Sequence, residues 1–207
     1  MNHPARLYQL VGDLGRGGNR RHEYLVYRKF VRLGNGGRVM LRFLTTRDRE
    51  KFVRLFEDTS DDDIRFLKHD VRDPGVLNAW MDSLNYGEVL PLMAENLKDN
   101  QFVAGGVLLL GAHAARHMGE IRLFVSAPFQ NLGLGSVMLD ELINLAAREN
   151  LRWLKGEVVR DQKNVIRGLR AKGFEVKSTL EDYFLCPDGT THDVVLMMRP
   201  VVPDEDS

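Results

Sequence analysis

Residues 129–138 read FQNLGLGSVM and decide how the chain is laid out. They follow the seven-residue alternating segment EIRLFVS (120–126) and open into LDELINLAARE (139–149), in which Met138, Leu139, Leu142, Ile143 and Ala146 recur at helical spacing. A strand that turns into a helix through Gln130, Gly133 and Gly135 leaves the first helical N–H groups without internal partners. The helix dipole also favours negative charge there. Glycines lack a Cβ, so an oxygen-rich anion can come close to the backbone. Taken alone, such a loop is more commonly a plain turn.

Working outward, the chain alternates strand-like and helix-like segments. EYLVYRKFVRL and RVMLRFL (38–44) alternate apolar and polar residues on either side of Asn35-Gly36, which predicts a hairpin. TTRDREKFVRLFEDTS places Phe52, Val53, Leu55 and Phe56 on one helical stripe, with Thr45 or Thr46 as N-cap. DDDIRFLKHD reads as a short helical piece and VLNAWMDSL as a weaker helix. EVLPLMAEN and FVAGGVLLLGA read as adjacent strands, and RWLKGEVV as another. QKNVIRGLRAK is a helix stopped by Gly173, and FEVKSTLEDYFL with THDVVLMMRPV closes the chain as a strand pair. This order predicts an α/β (α+β) fold, a mixed sheet flanked by helices.

The 207 residues suit one generous domain, with 43% hydrophobic and 28% charged residues. Net charge is zero, which argues against a global field for nucleic acid or membrane. Residues 1–36 nevertheless carry seven Arg/Lys against Asp13 and Glu23, and the chain ends DEDS. The division expected is a basic N-terminal segment 1–33 that includes an extra strand, a main domain 34–201 and an acidic disordered tail 202–207. One cysteine, Cys186, allows no internal disulfide and no thiolate cluster. With neither a signal-peptide core nor a spanning apolar stretch, a cytoplasmic protein is expected. His113 and His117 lack a third metal ligand, and Asp61–Asp63 lacks a calcium-loop pattern, so no metal is expected.

The stretch 129–138 resembles the acyl-CoA-binding motif of the GNAT acetyltransferase superfamily: Gln or Arg, two residues, Gly, one residue, Gly or Ala. The similarity runs over roughly residues 34–200. NGGRVMLRFLTTRDREKFVRLFEDTSDDDIRFL, LNYGEVLPLMAE, GEIRLFVSAPFQNLGLG and RAKGFEV are similar to the GNAT domain of bacterial protein lysine acetyltransferases of the Pat type. The resemblance implies a mostly antiparallel sheet of about seven strands. It implies acetyl-CoA as co-substrate, its pyrophosphate held by amides of Gln130, Asn131, Leu132, Gly133, Leu134, Gly135 and Ser136. It also gives the place of a cofactor-contacting asparagine to Gln162, with Asn164 two residues away. A protein lysine is the implied acceptor. A small amine and a non-catalytic acyl-CoA sensor are the alternatives, and a homodimer is left open.

The chemistry can be reached from the residues as well. A lysine amine, with a pKa of about 10.4, must lose a proton before it attacks a thioester. A carboxylate in a partly buried strand, raised by desolvation, suits that task. Glu120 stands ten residues before Gln130, as the family's glutamate does. Six strand residues separate it from Ser126, about 20 Å at about 3.3 Å each, comparable to a pantetheine arm. A backbone N–H near Phe124 or Val125 would meet the developing oxyanion. The sequence departs from the family at Leu169, where many members have a tyrosine that protonates the thiolate. Tyr183, Cys186 and His192 are the substitutes available.

Overall fold

The computed structural model describes residues 20–57, 59–60, 64, 67, 69–186 and 188–201. The first 19 residues, the tail 202–207 and most of the segment 61–70 expected as a helical piece lie outside the described residues. Alternation of apolar residues and the Asn35-Gly36 turn give the hairpin β1 (Lys29–Arg32) and β2 (Arg38–Phe43). Gly36 supplies the left-handed φ of 85° that closes it, while Leu33 N–H donates to Gly37 O at 2.8 Å. The meander continues through β3 (Val89–Asn96), β4 (Phe102–Leu110) and β5 (Met118–Val125). β6 (Trp153–Val159), β7 (Glu175–Leu185) and β8 (Thr191–Pro200) complete one eight-stranded sheet in the order β1-β2-β3-β4-β5-β6-β8-β7. This is the mixed, mostly antiparallel sheet expected, with eight strands rather than about seven. Among the described strands only β5 and β6 run parallel.

Helices cover both faces. α1 (Arg20–Val26), α4 (Leu134–Arg148) and α5 (Lys163–Ala171) share one core, which includes Phe43, Leu92, Leu108, Met138, Leu142, Leu154, Leu169 and Met197. On the other face α2 (Arg49–Glu57) and α3 (Pro74–Asp82) bury Phe52, Leu55, Phe56, Leu77 and Met81 against Leu44, Met93 and Phe102. The helical stripe expected in α2 is the buried one, with Val53 half-buried at its border. Asp73 caps α3, accepting from Gly75 N–H at 2.7 Å, with Pro74 in the first turn. No described helix is long and apolar enough to cross a membrane.

The segment EYLVYRKFVRL differs from its expected strand: its first half is helical. Tyr27 N–H donates to Glu23 O at 3.0 Å, so Tyr24 and Tyr27 stand one turn apart on one side. Their rings meet Phe43 at 4.7 and 5.6 Å, and their hydroxyls donate to Glu149, the C-cap of α4, and to Glu141 within it. Three residues apart, the two tyrosines would fall on opposite faces of a strand, whereas a helix brings both onto α4.

A buried charge network ties α2 to the sheet. Arg42 of β2 donates to both carboxylate oxygens of Asp48 at 2.8 and 2.7 Å and to Glu95 of β3 at 2.5 Å. Its guanidinium lies 4.8 Å from the Phe102 ring centroid. Asp48 in turn accepts from the N–H and hydroxyl of Thr45, both at 2.8 Å, and so shapes the entry into α2. Lys51 of α2 reaches the second oxygen of Glu95 at 2.7 Å. Burial acts to raise the pKa of Asp48 and Glu95. The hydrogen bonds and charges of Arg42, with Thr45 on one and Lys51 on the other, outweigh it and hold both below the ordinary range.

A carboxylate depressed on folding stabilises above its unfolded pKa, and that stability drains away as pH falls through the folded value. Stability should therefore be level near neutrality and fall as pH drops below about 4. Arg42→Met, which leaves Asp48 buried without its cation, should cost about 3–5 kcal/mol in denaturant unfolding at pH 7. The gap from the parent should narrow in acid.

Candidate functional site

The site is built where the parallel pair β5 and β6 comes apart. β5 and β6 are in register only at Met118–Trp153, Gly119–Leu154 and Glu120–Lys155. Beyond Glu120, β5 remains paired with β4 as far as Val125, and β6 with β8 as far as Val159. The two strands thus enclose a wedge with its apex at Glu120 and Lys155. The Ser126 N–H to Val103 O bond at 3.0 Å and the Gly111 N–H to Met118 O bond at 2.9 Å fix the alternation along β5. Even-numbered residues exchange bonds with β4, and odd-numbered ones turn their backbone toward the wedge. The open edge therefore belongs to Leu123 and Val125. Phe124, named with Val125 from sequence, has its N–H on the β4 side, and its ring lies 5.2 Å from that of Phe56 on α2.

Past Val125 a 3-10 turn (Ala127–Phe129) leads to the glycine loop. The Gln130 side-chain amide folds back to donate to Val125 O at 3.0 Å, which fixes the loop to the wedge edge. Asn131 and Gly133 take left-handed φ values of 58° and 86°, and α4 begins at Leu134. Its first ladder bond runs from Val137 N–H to Gly133 O at 3.2 Å, so the helix itself uses none of the amides of Leu134, Gly135 and Ser136. Leu134 is fully buried and anchors the turn, whereas Gly133 and Ser136 are exposed. Behind the loop, Gly34 N–H in the β1–β2 turn donates to Leu132 O at 3.1 Å. An added Cβ would meet nothing within 4 Å at Gly133, and would reach only Val125 and Leu123 side chains, at 3.7 and 3.8 Å, at Gly135. Gln162 and Asn164 are both exposed at the start of α5, which follows β6 and so begins at the same end of the wedge.

At the apex, Glu120 points to the face that carries α2 and α3, and its side chain is 13% exposed. Its carboxylate binds Arg122 at 2.7 Å and Lys155 at 2.8 Å. Two cations thus lie against a carboxylate that is also nearly buried, a pairing that the sequence did not foresee. Lys155 also reaches Glu157 at 3.4 Å. Burial works against the Lys155 charge, but Glu120 and then Glu157 more than offset it, and its pKa stands above an ordinary lysine's.

Arg122, Lys155 and Glu157 were not singled out from sequence. Arg122 was within reach, since residues two apart on a strand share a face. Lys155 and Glu157 required the β5–β6 pairing. None of the tyrosine substitutes stands beside Glu120 along the sheet. Tyr183 lies on the outer strand β7, Cys186 is buried just past it, and His192 Nδ1 faces Asp161 at 3.8 Å. Leu169 is buried in the core. Among the described residues no group of three metal-ligating side chains comes together. A hollow of about 200 Å³ lies between α2 and α3, where Arg72 caps the last carbonyls of α2.

An open strand edge that ends in unused helix amides can hold an extended, anion-tipped chain, and a carboxylate at its far end can act on an amine. The profile of the acetyltransferase (GNAT) family matches residues 49–174, and the chain belongs to that family. Acetyl-CoA is accordingly its co-substrate. Solved structures agree in fold. The GNAT domain of S. lividans PAT is 21% identical, with 84% of this chain and 96% of that one covered and a TM-score of 0.67. Ribosomal-protein-alanine N-acetyltransferase from Brucella melitensis is also 21% identical, over 77% and 98%, with a TM-score of 0.67. A phosphinothricin acetyltransferase from Sinorhizobium meliloti, in complex with AcCoA, is 15% identical over 81% and 94%, with a TM-score of 0.68. No curated protein sequence matches the chain significantly.

Gly135→Ala separates fold from ligand. The added methyl finds ordinary contacts, so thermal stability should stay within about 0.5 kcal/mol of the parent. If the loop amides hold a pyrophosphate, the same change should weaken CoA binding in calorimetry about tenfold, or about 1.4 kcal/mol.

Proposed function

We propose that the protein transfers an acetyl group from acetyl-CoA to a primary amine, by direct attack within a ternary complex, with Glu120 as general base. The observation that carries this reading is the placement of Glu120 at the apex of a wedge whose β5 edge leads to the unused amides at the start of α4. Acetyl-CoA brings an acetyl thioester, a good acyl donor because a thiolate leaves with little help. The amides from Gln130 to Ser136 hold its pyrophosphate, with the dipole of α4 behind them. The wedge-facing edge of β5 at Leu123 and Val125 binds the pantetheine arm in the manner of an added strand. One of these N–H groups donates to the acyl oxygen as negative charge gathers there. Gln162 and Asn164 contact the co-substrate from the start of α5.

Glu120 takes the proton of the incoming ammonium, directly or through water. The new C–N bond forms as the C–S bond breaks, and the thiolate is protonated from solvent, since no tyrosine occupies the position of Leu169. The acceptor we favour is a protein lysine, on the similarity of residues 34–200 to the Pat-type subgroup and the likeness to the PAT domain. The likeness to a phosphinothricin acetyltransferase supports a small amine as the second reading. The protein would act in the cytoplasm, with 34–201 as the catalytic domain.

Glu120→Gln should lower kcat by about 10²–10⁴ and leave the CoA dissociation constant unchanged. Incubation with acetyl-CoA and a deacetylated lysate, followed by mapping of acetyl-lysines by mass spectrometry, should yield sites that vanish with the variant. A variant as active as the parent would sink Glu120 as the base. Activity on free amines alone would move the acceptor to the second reading.

A further inference from the structure

In the free protein, the carboxylate just assigned as base already holds an alkylammonium. Lys155 Nζ lies 2.8 Å from Glu120 Oε2 and 3.4 Å from Glu157 Oε1. The two carboxylates stand on different arms of the wedge. Glu120 is at the last paired position of β5, and Glu157 is two residues along β6, where that strand has left β5 and pairs only with β8. Both carboxylates are nearly buried, with side chains 13% and 10% exposed, while the Lys155 side chain keeps 32% exposure. Lys155 therefore has a second carboxylate within reach of a small torsional swing, and a path to solvent along it. Arg122 binds Glu120 from the other side and offers no such alternative among the described residues, since its bonds go to one oxygen of Glu120.

An acceptor amine arrives protonated and needs the same contact with Glu120 that Lys155 makes. Two ammonium groups at one carboxylate oxygen repel, so one must give way.

We propose that Lys155 gates the base: the acceptor ammonium displaces it from Glu120, and Glu157 receives it. This rests on the acetyltransfer reading above and adds to it a positioning role for two residues. Lys155 sets how strongly a cation must bind to reach Glu120. Glu157 stabilises the displaced state and so lowers the cost of reaching it. The arrangement selects primary alkylammonium acceptors, the lysine side chain among them, because only a group with the shape and charge of the Lys155 tip replaces it without loss. It disfavours neutral or bulky secondary amines.

The test uses the whole protein with acetyl-CoA and a lysine-bearing peptide blocked at both ends, and reads KM and kcat separately. Lys155→Met keeps length and removes the competitor, so KM for the peptide should fall several-fold with KM for acetyl-CoA unchanged. Glu157→Gln removes the receiving carboxylate, so KM for the peptide should rise several-fold, again with acetyl-CoA unaffected. A role in folding alone would move neither KM in this pattern. A Lys155→Met protein with raised peptide KM, a Glu157→Gln protein with parental KM, or acetylation of Lys155 itself would overturn the gate.

A second readout needs no turnover. Titration with n-butylammonium, followed by NMR of the lysine side-chain nitrogens, should shift the Lys155 signal in the parent and do so at several-fold higher concentration in Glu157→Gln. A silent Lys155 signal would refute the gate while leaving acetyl-CoA binding and Glu120 chemistry standing.

Discussion

β5 and β6 share a register for three residues and then part, and the rest of the site follows from that break. Each strand is fully paired on its other side, β5 with β4 and β6 with β8, so both remain fixed while the edges between them open. A strand edge inside a sheet normally spends its N–H and C=O groups on a neighbour. Here the N–H groups of Leu123 and Val125 face the opening, while the Val125 carbonyl accepts from Gln130. Because the pair is parallel, α4 and α5 both begin at the wide end of the wedge, where unsatisfied amides and two helix dipoles favour phosphate. Gly119, at the paired end, lets the strands close. A Cβ there would fall 2.7 Å from Leu108 and Leu151 side chains.

The same face of the sheet carries two sets of charges with different fates. Arg42, Asp48 and Glu95 lie under α2, nearly buried and saturated with partners, and serve to hold the helix on the strands. Glu120, Arg122, Lys155 and Glu157 lie further along the sheet, on β5 and β6, and their cations are about one-third exposed. Buried pairs of the first kind resist exchange because each lost partner leaves a desolvated charge. In the second set the carboxylates are nearly buried but the cations keep contact with water, so a cation can change partner at lower cost. That difference separates a structural network from one that can hand a carboxylate to a substrate. The N-terminal residues support the cradle from behind, through Tyr24 and Tyr27 on α4 and Gly34 on the glycine loop.

Much of this was legible in the sequence because it is local. The periodicity of 134–148, the glycines of the loop and the Asn35-Gly36 turn each state their conformation within a few residues. So does Gly173, whose left-handed φ of 81° ends α5. What could not be read depends on which strands meet. The alternation EIRLFVS gives the face of Glu120 but not its partner across the sheet, so its ion pair with Lys155 was out of reach. The side of β5 to which Phe124 turns its N–H depends on the β4 register. The helix at Tyr24 was missed because its decisive contacts, Glu141 and Glu149, lie more than a hundred residues away.

The central claim is that one continuous surface runs from the amides at the start of α4, along the open edge of β5, to Glu120. It is tested most directly by backbone amide NMR of the protein titrated with CoA. Shifts are expected at Leu123, Val125 and Gly133–Ser136, extending to Ile121 beside Glu120, with β1 and β7 unmoved. Shifts confined to the hollow around Arg72, or a silent β5, would contradict it.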